Sequence, residues 1–97
     1  MTGTPRLPSE VRDNKDRQRF ELALDGRTAF SQYKLAPGTI TFLHTEVPKE
    51  LEGRGIGSRL VRGELEAARA QGLKVVAKYP FVAAYIKKHA EFQDLLA

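Results

Sequence analysis

The sequence contains no cysteine. That excludes disulfides, cysteine-ligated zinc, iron–sulfur clusters and a cysteine nucleophile together, and it fits a reducing compartment. No apolar run is long enough to span a bilayer, and residues 1–17 hold no signal-peptide core. These absences lead to the expectation of a cytoplasmic protein without a membrane partner. Internal repeats and low-complexity segments are missing as well.

What remains is the composition of an ordinary globule of 97 residues, enough for one domain with a modest core. The formal charge is +4 and the isoelectric point about 9.6. A basic chain attracts anions, and both a nucleic acid and a phosphorylated coenzyme qualify, so charge alone does not choose between them.

Residues 1–8 hold two prolines and no periodicity and read as a flexible tail; residues 9–97 read as the folded domain. Ser9 to Asp13 is expected to be a short edge strand, followed by a polar turn at Asn14-Lys15-Asp16. Residues 18–24 alternate, with Phe20, Leu22 and Leu24 on one face, which predicts a half-buried strand. Asp25-Gly26 is a strong two-residue hairpin signal, and residues 28–35 return from it. Pro37-Gly38 marks the next turn. In the strand 39–47, strict alternation puts Ile40, Phe42, His44 and Glu46 on one face and Thr41, Leu43, Thr45 and Val47 on the other. Apolar groups on both faces place this strand centrally. Pro48 ends it.

Residues 56–70 have helical periodicity, with Ser58, Arg59, Arg62, Glu66 and Arg69 in one polar arc. Glu64 interrupts the apolar arc, and nothing in the sequence accounts for it. Gly72 closes the helix. Leu73 to Ala77 is a short strand, Pro80 opens a second helix that runs to His89, and Phe92, Leu95 and Leu96 suggest a final turn. The expected fold class is α+β: antiparallel N-terminal strands, then a parallel, right-handed β–α–β step and a C-terminal helix.

Between strand and helix lies Glu52-Gly53-Arg54-Gly55-Ile56-Gly57. A helix N-terminus presents unpaired N–H groups and partial positive charge. Glycines allow positive φ and keep side chains away from a ligand. With Arg54 and Arg59 nearby, the loop is suited to phosphate. No Gly-Lys-Ser/Thr follows, so it is not a Walker loop. The Gly-x-Gly-x-Gly spacing and the chain length do not suit a dinucleotide-binding fold.

The loop resembles the R/Q-x-x-G-x-G/A motif of the GCN5-related N-acetyltransferases, with Glu52 where that superfamily usually has Arg or Gln. The segments Phe42-Leu43-His44-Thr45-Glu46-Val47-Pro48, Leu51 to Gly57 and Pro80 to His89 together resemble the short, YjdJ-type branch, in which Glu at that position is familiar. The resemblance spans roughly residues 9–96. It implies a mixed, GNAT-like sheet splayed between the two parallel strands. Acetyl-CoA would lie in the splay, its pantetheine arm pairing with backbone near Thr45, Glu46 and Val47. Its pyrophosphate would lie on Glu52, Gly53, Arg54, Gly55, Ile56, Gly57 and Ser58. Members of this branch commonly carry a cysteine where this chain has Tyr79, so a cysteine-dependent mechanism does not carry over.

The resemblance also implies that Tyr85 serves the departing CoA sulfur. With reference pKa values of about 10 for phenol and about 8.5 for thiol, it suits the role of hydrogen-bond donor better than that of free acid. His44 and Glu46, on a strand face next to the cleft, are candidate general bases for an amine, and Tyr79 occupies the changed position. Lys87, Lys88 and His89 sit at a helix C-terminus, where cations are favoured anyway; Lys88 is the candidate for the coenzyme's 3′-phosphate. His44 and His89 have no ligand cluster around them, and no metal is expected.

The function expected is acyl-CoA-dependent transfer of an acetyl group to a primary amine, on a small molecule or a protein lysine or N-terminus. The alternatives are a CoA-binding module with little catalysis and a small basic nucleic-acid-binding protein.

Overall fold

A computed structural model describes residues 11–97. The tail at 1–8 and the Ser9-Glu10 part of the expected edge strand lie outside the described residues. Five strands, β1 (Arg12–Asn14), β2 (Arg19–Leu24), β3 (Arg27–Ala36), β4 (Thr39–Glu46) and β5 (Lys74–Ala77), form one sheet in the order β1-β2-β3-β4-β5. The first three junctions are antiparallel, and β4 and β5 are parallel. Helix α1 (Ile56–Ala70) makes the crossover, and α2 (Pro80–Lys88) follows β5. Short 3₁₀ segments occupy Lys49–Leu51 and Ala90–Leu95. The α+β class and the single parallel step are as the sequence predicts. Among the described residues no helix is long and apolar enough to cross a membrane.

Local chemistry explains most boundaries. Asp25 and Gly26 take φ of 53° and 74°, the doubly positive turn whose twist suits a two-residue hairpin. Asn14 ends β1 rather than opening a turn, and its side-chain oxygen accepts the Arg17 N–H at 3.2 Å, bracing the loop behind it. Helix α1 closes as a Schellman motif: Gly72 sits at φ 71°, its N–H reaches Arg69 O, and the Leu73 N–H reaches Ala68 O. After the last 3₁₀ turn, Leu96 bridges Val75 and the Ala97 N–H donates to Val75 O at 3.0 Å. The C-terminus thus covers the outer edge of β5, which would otherwise be an open pairing edge.

The core lies between one face of the sheet and the helices. Phe20 and Leu22 of β2, Ala29 and Tyr33 of β3 and Ile40 and Phe42 of β4 meet Leu60, Val61 and Leu65 of α1 and Val82 and Ile86 of α2. The polar arc of α1 clamps the C-terminus. Arg69 reaches both Asp94 carboxylate oxygens at 2.9 Å, Arg62 pairs with Glu66 and Glu91, and both guanidinium groups lie over the Phe92 ring.

Candidate active site

The site is created where the two parallel strands part. Their register runs from Thr39↔Lys74 to Phe42↔Ala77 and stops there. One last bond, Tyr79 N–H to Phe42 O at 3.3 Å, ties the strands. Beyond it β4 continues to Glu46 beside β3 alone, while Pro80 turns the other chain into α2. A hollow of about 160 Å³ opens in the fork, lined by Thr45, Val47, Gly57, Tyr79 and Phe81.

At the fork β4 carries a β-bulge. Tyr33 opposes Phe42 and Gln32 opposes His44, so Leu43 is the extra residue. A one-residue insertion sends the following side chains to the opposite faces. This corrects the alternation expected from sequence: His44 and Glu46 do not share the face of Phe42. Thr45 takes that buried face, where its hydroxyl lies 3.1 Å from that of buried Ser31. His44 and Glu46 emerge on the sheet face away from the core and are exposed. There the His44 ring meets Tyr79 edge-on at 5.5 Å, its Nε2 lies 3.4 Å from Glu46 Oε1, and Phe30 stands beyond it at 6.3 Å. Three of the four residues proposed for catalysis, His44, Glu46 and Tyr79, are therefore neighbours.

The fourth is placed elsewhere. Tyr85 is buried on α2, stacked on His89 at 3.9 Å, with His89 Nδ1 2.8 Å from the Tyr85 carbonyl. The Tyr85 hydroxyl acts on the Arg62 guanidinium and raises the arginine's pKa. Tyr85 and Lys88 line a separate hollow of about 140 Å³ that also touches Ser58 and Phe81.

The glycine loop lies between the two. Gly53 and Gly55 hold φ of 82° and 70°, and a Cβ at either would point into open space. Their requirement is thus backbone conformation, since positive φ is costly for other residues. Gly55 is the N-cap of α1 and no side chain caps the helix, so the first-turn N–H groups are not engaged by a capping side chain. A hollow of about 270 Å³ over this turn is lined by Val47, Glu52, Gly53, Gly55, Gly57, Ser58 and Phe81, among others. Arg54 is not among its lining residues. Its Nη1 lies 2.8 Å from Asp25 in the β2–β3 turn, an exposed pair. Gly57 has a different reason: a Cβ there would meet the Phe81 ring at 3.1 Å.

Phe81 borders all three hollows and was not singled out as a site residue in the sequence. The signal available was its place directly after Pro80, as a large aromatic in the first turn of a helix. Ser31 was missed too, because a serine in an alternating strand gives no sign that it pairs with a threonine on the next one.

The hollows share residues and trace one groove, from Lys88 past the first turn of α1 to the fork. A model described as GCN5-related N-acetyl-transferase matches residues 19–95, from β2 to the last 3₁₀ segment. Comparison with curated proteins gives no match. The matched span contains both arms of the fork, the glycine loop and α2, and the chain belongs to the GCN5-related N-acetyl-transferase family.

Proposed function

We propose that the chain binds acetyl-CoA along this groove and transfers the acetyl group directly to a primary amine. The observation that carries the reading is the fork itself: parallel strands that separate at a bulge, beside a helix that starts on a positive-φ glycine with no side-chain cap. Acetyltransferase-type function follows from the family in general; acetyl-CoA and the roles below are our proposal, as is the assignment to the short YjdJ-type branch.

In this reading the pyrophosphate takes the N–H groups of the first turn of α1, where the helix field favours an anion. Gly53 and Gly55 leave open space there, so the residues present fit a bulky anion. Arg54 swings from Asp25 to join it, because an exposed ion pair resists such a move only weakly. The edge of β4 at Thr45 to Val47, freed where β5 departs, offers backbone groups to the pantetheine amides. Lys88 and Tyr85 serve the coenzyme's far end. Arg62 and Arg69 are already paired with Glu91 and Asp94, which favours the coenzyme over an extended polyanion as the partner of this basic chain.

His44, with Glu46 beside it, accepts a proton from the incoming ammonium. The amine nitrogen then bonds the acetyl carbon and gives up its surplus proton to water, the carbon–sulfur bond breaks, and the thiolate takes a proton from a donor that water reprotonates. We assign that proton to Tyr79, which lines the fork and touches His44, rather than to Tyr85, which lines the neighbouring hollow. Transfer from phenol to thiolate is uphill by about 1.5 pKa units, about 2 kcal/mol. Tyr79 therefore acts chiefly as a hydrogen-bond donor to developing charge on sulfur. Without a cysteine, no acyl-enzyme is needed, and most of the catalysis is positioning.

Thermal unfolding with millimolar acetyl-CoA tests the coenzyme. Ligand binding raises the midpoint by mass action, and Gly55→Val, with a β-branched residue at positive φ, removes the shift. No shift with the unaltered protein sinks the proposal. Steady-state kinetics with an amine acceptor should give intersecting double-reciprocal plots. Tyr79→Phe should lower turnover by up to about 10²-fold and Tyr85→Phe by less; the reverse order returns the proton to Tyr85. Binding without turnover on any amine would leave a CoA-binding module.

A further inference from the structure

Glu64 sits in the middle of α1 with none of its surface exposed, facing the sheet. Neither carboxyl oxygen has a formed hydrogen bond among the described residues. The polar side chain that acts on it is Ser31 of β3, placed next to it but short of a full hydrogen bond. Ser31 Oγ in turn lies 3.1 Å from Thr45 Oγ1. Thr45 is 8% exposed and lines the hollow in the fork. Three polar side chains from α1, β3 and β4 thus form a buried line from the core to the place where the strands part. The line exists because the Leu43 bulge turns Thr45 inward.

The direction of such a line depends on one proton. Each hydroxyl donates once, so the group at the buried end sets the order of the rest. An ionised Glu64 would accept from Ser31, Ser31 would accept from Thr45, and Thr45 would have only lone pairs left for the fork. A carboxylate there would be supported by a single hydroxyl in an apolar surround, and an isolated buried charge is far costlier than a buried neutral acid. Burial pushes the carboxyl well above its usual range, and no charged group offsets this. The neutral acid reverses the order: Glu64 donates to Ser31, Ser31 to Thr45, and Thr45 into the fork.

We propose that Glu64 is a positioning residue that, through Ser31, fixes the Thr45 hydroxyl as a hydrogen-bond donor into the fork, where it takes a carbonyl oxygen of the acyl-pantetheine ligand. This rests on the acetyl-CoA reading above. It explains why a glutamic acid occupies the apolar arc of α1, where an aliphatic residue would pack at lower cost.

The test is calorimetric titration with two ligands, acetyl-CoA and adenosine 3′,5′-bisphosphate; the second lacks the pantetheine arm and does not reach the fork. Glu64→Leu removes the donor. Affinity for acetyl-CoA should fall about 3- to 10-fold, the worth of one hydrogen bond. Affinity for the bisphosphate should be unchanged, and thermal stability should hold or rise because an unpaired buried acid has gone. Glu64→Gln keeps a donor toward Ser31 and should restore acetyl-CoA affinity to within about twofold. Thr45→Val should match the loss in Glu64→Leu, and the double variant should lose no more than either. Infrared difference spectra of the unaltered protein against Glu64→Gln should show a neutral carboxyl band at pH 7. Unchanged acetyl-CoA affinity in Glu64→Leu, or a carboxylate band at pH 7, overturns the inference alone. Equal loss of both ligands also overturns it, by showing general damage. If the unaltered protein binds neither ligand, the coenzyme reading falls and this inference falls with it.

Discussion

Residues 39–42 of β4 are hydrogen-bonded on both edges, to β3 and to β5, whereas residues 44–46 are bonded to β3 alone. In the first stretch Ile40 and Phe42 are almost wholly buried; in the second His44 and Glu46 are exposed and only Thr45 turns inward. One extra residue, Leu43, separates them. The doubly paired half holds the sheet and helices together. The half that has lost a neighbour offers free backbone on one edge and polar side chains on the open face. A single strand can therefore be scaffold and site, provided a bulge marks the change.

The contrast is broken most forcefully at Phe42. Phe42→Ala should cost about 3–5 kcal/mol of stability by denaturant unfolding, with acetyl-CoA affinity of the folded fraction unchanged. A loss of affinity with little loss of stability would show that the paired half belongs to the site. The mirror experiment is His44→Gln. Turnover should fall by about 10²-fold, about 2.7 kcal/mol of barrier, while the unfolding midpoint stays in place because the side chain is exposed.

Glu64 lies beneath the join and gives the comparison a pH axis. Its carboxyl is raised in the folded protein by burial. The folded state therefore binds more protons than the unfolded state between the two pKa values, and stability is greatest below the unfolded value. It is lost as pH rises toward the folded value, with a limiting slope of about 1.4 kcal/mol per pH unit. Denaturant unfolding from pH 4 upward should show this fall, and Glu64→Gln should flatten it. An equal slope in both proteins would assign it to other groups. The smallest effect is expected at Arg54, beyond the fork. Arg54→Ala should change stability by less than about 1 kcal/mol, because its partner Asp25 is exposed. It should weaken CoA more than a pantetheine analogue without the pyrophosphate. Equal weakening would mean that Arg54 stays with Asp25 when the coenzyme binds.

The Asp25-Gly26 hairpin, helix 56–70 with Gly72 after it, Pro80 at the start of α2 and the positive-φ glycines of the loop were all legible. Each rests on neighbours within a few positions: a backbone conformation that only certain residues tolerate, or a period of 2 or 3.6. The phosphate-suited end of the groove was visible for the same reason. The forked end was not. Phe42 to Val47 reads as unbroken alternation, and no glycine or proline warns of a bulge at Leu43. The sequence therefore placed His44 and Glu46 on the wrong face.

By itself, then, the sequence determined the α+β order of elements, the parallel step and the anion-suited loop, because these follow from short-range periodicity and backbone preference. Tertiary structure decided which side chains share the fork. It shifted the β3–β4 register between Gln32 and Tyr33, ended the β4–β5 pairing at Phe42, drew Arg54 to Asp25, and enclosed Glu64 beside Ser31 and Thr45. Those outcomes depend on how two strands and a helix compete for the same core volume and the same hydrogen-bonding edge. That competition joins residues as much as 35 positions apart, as Phe42 and Ala77 are, and no local pattern records it.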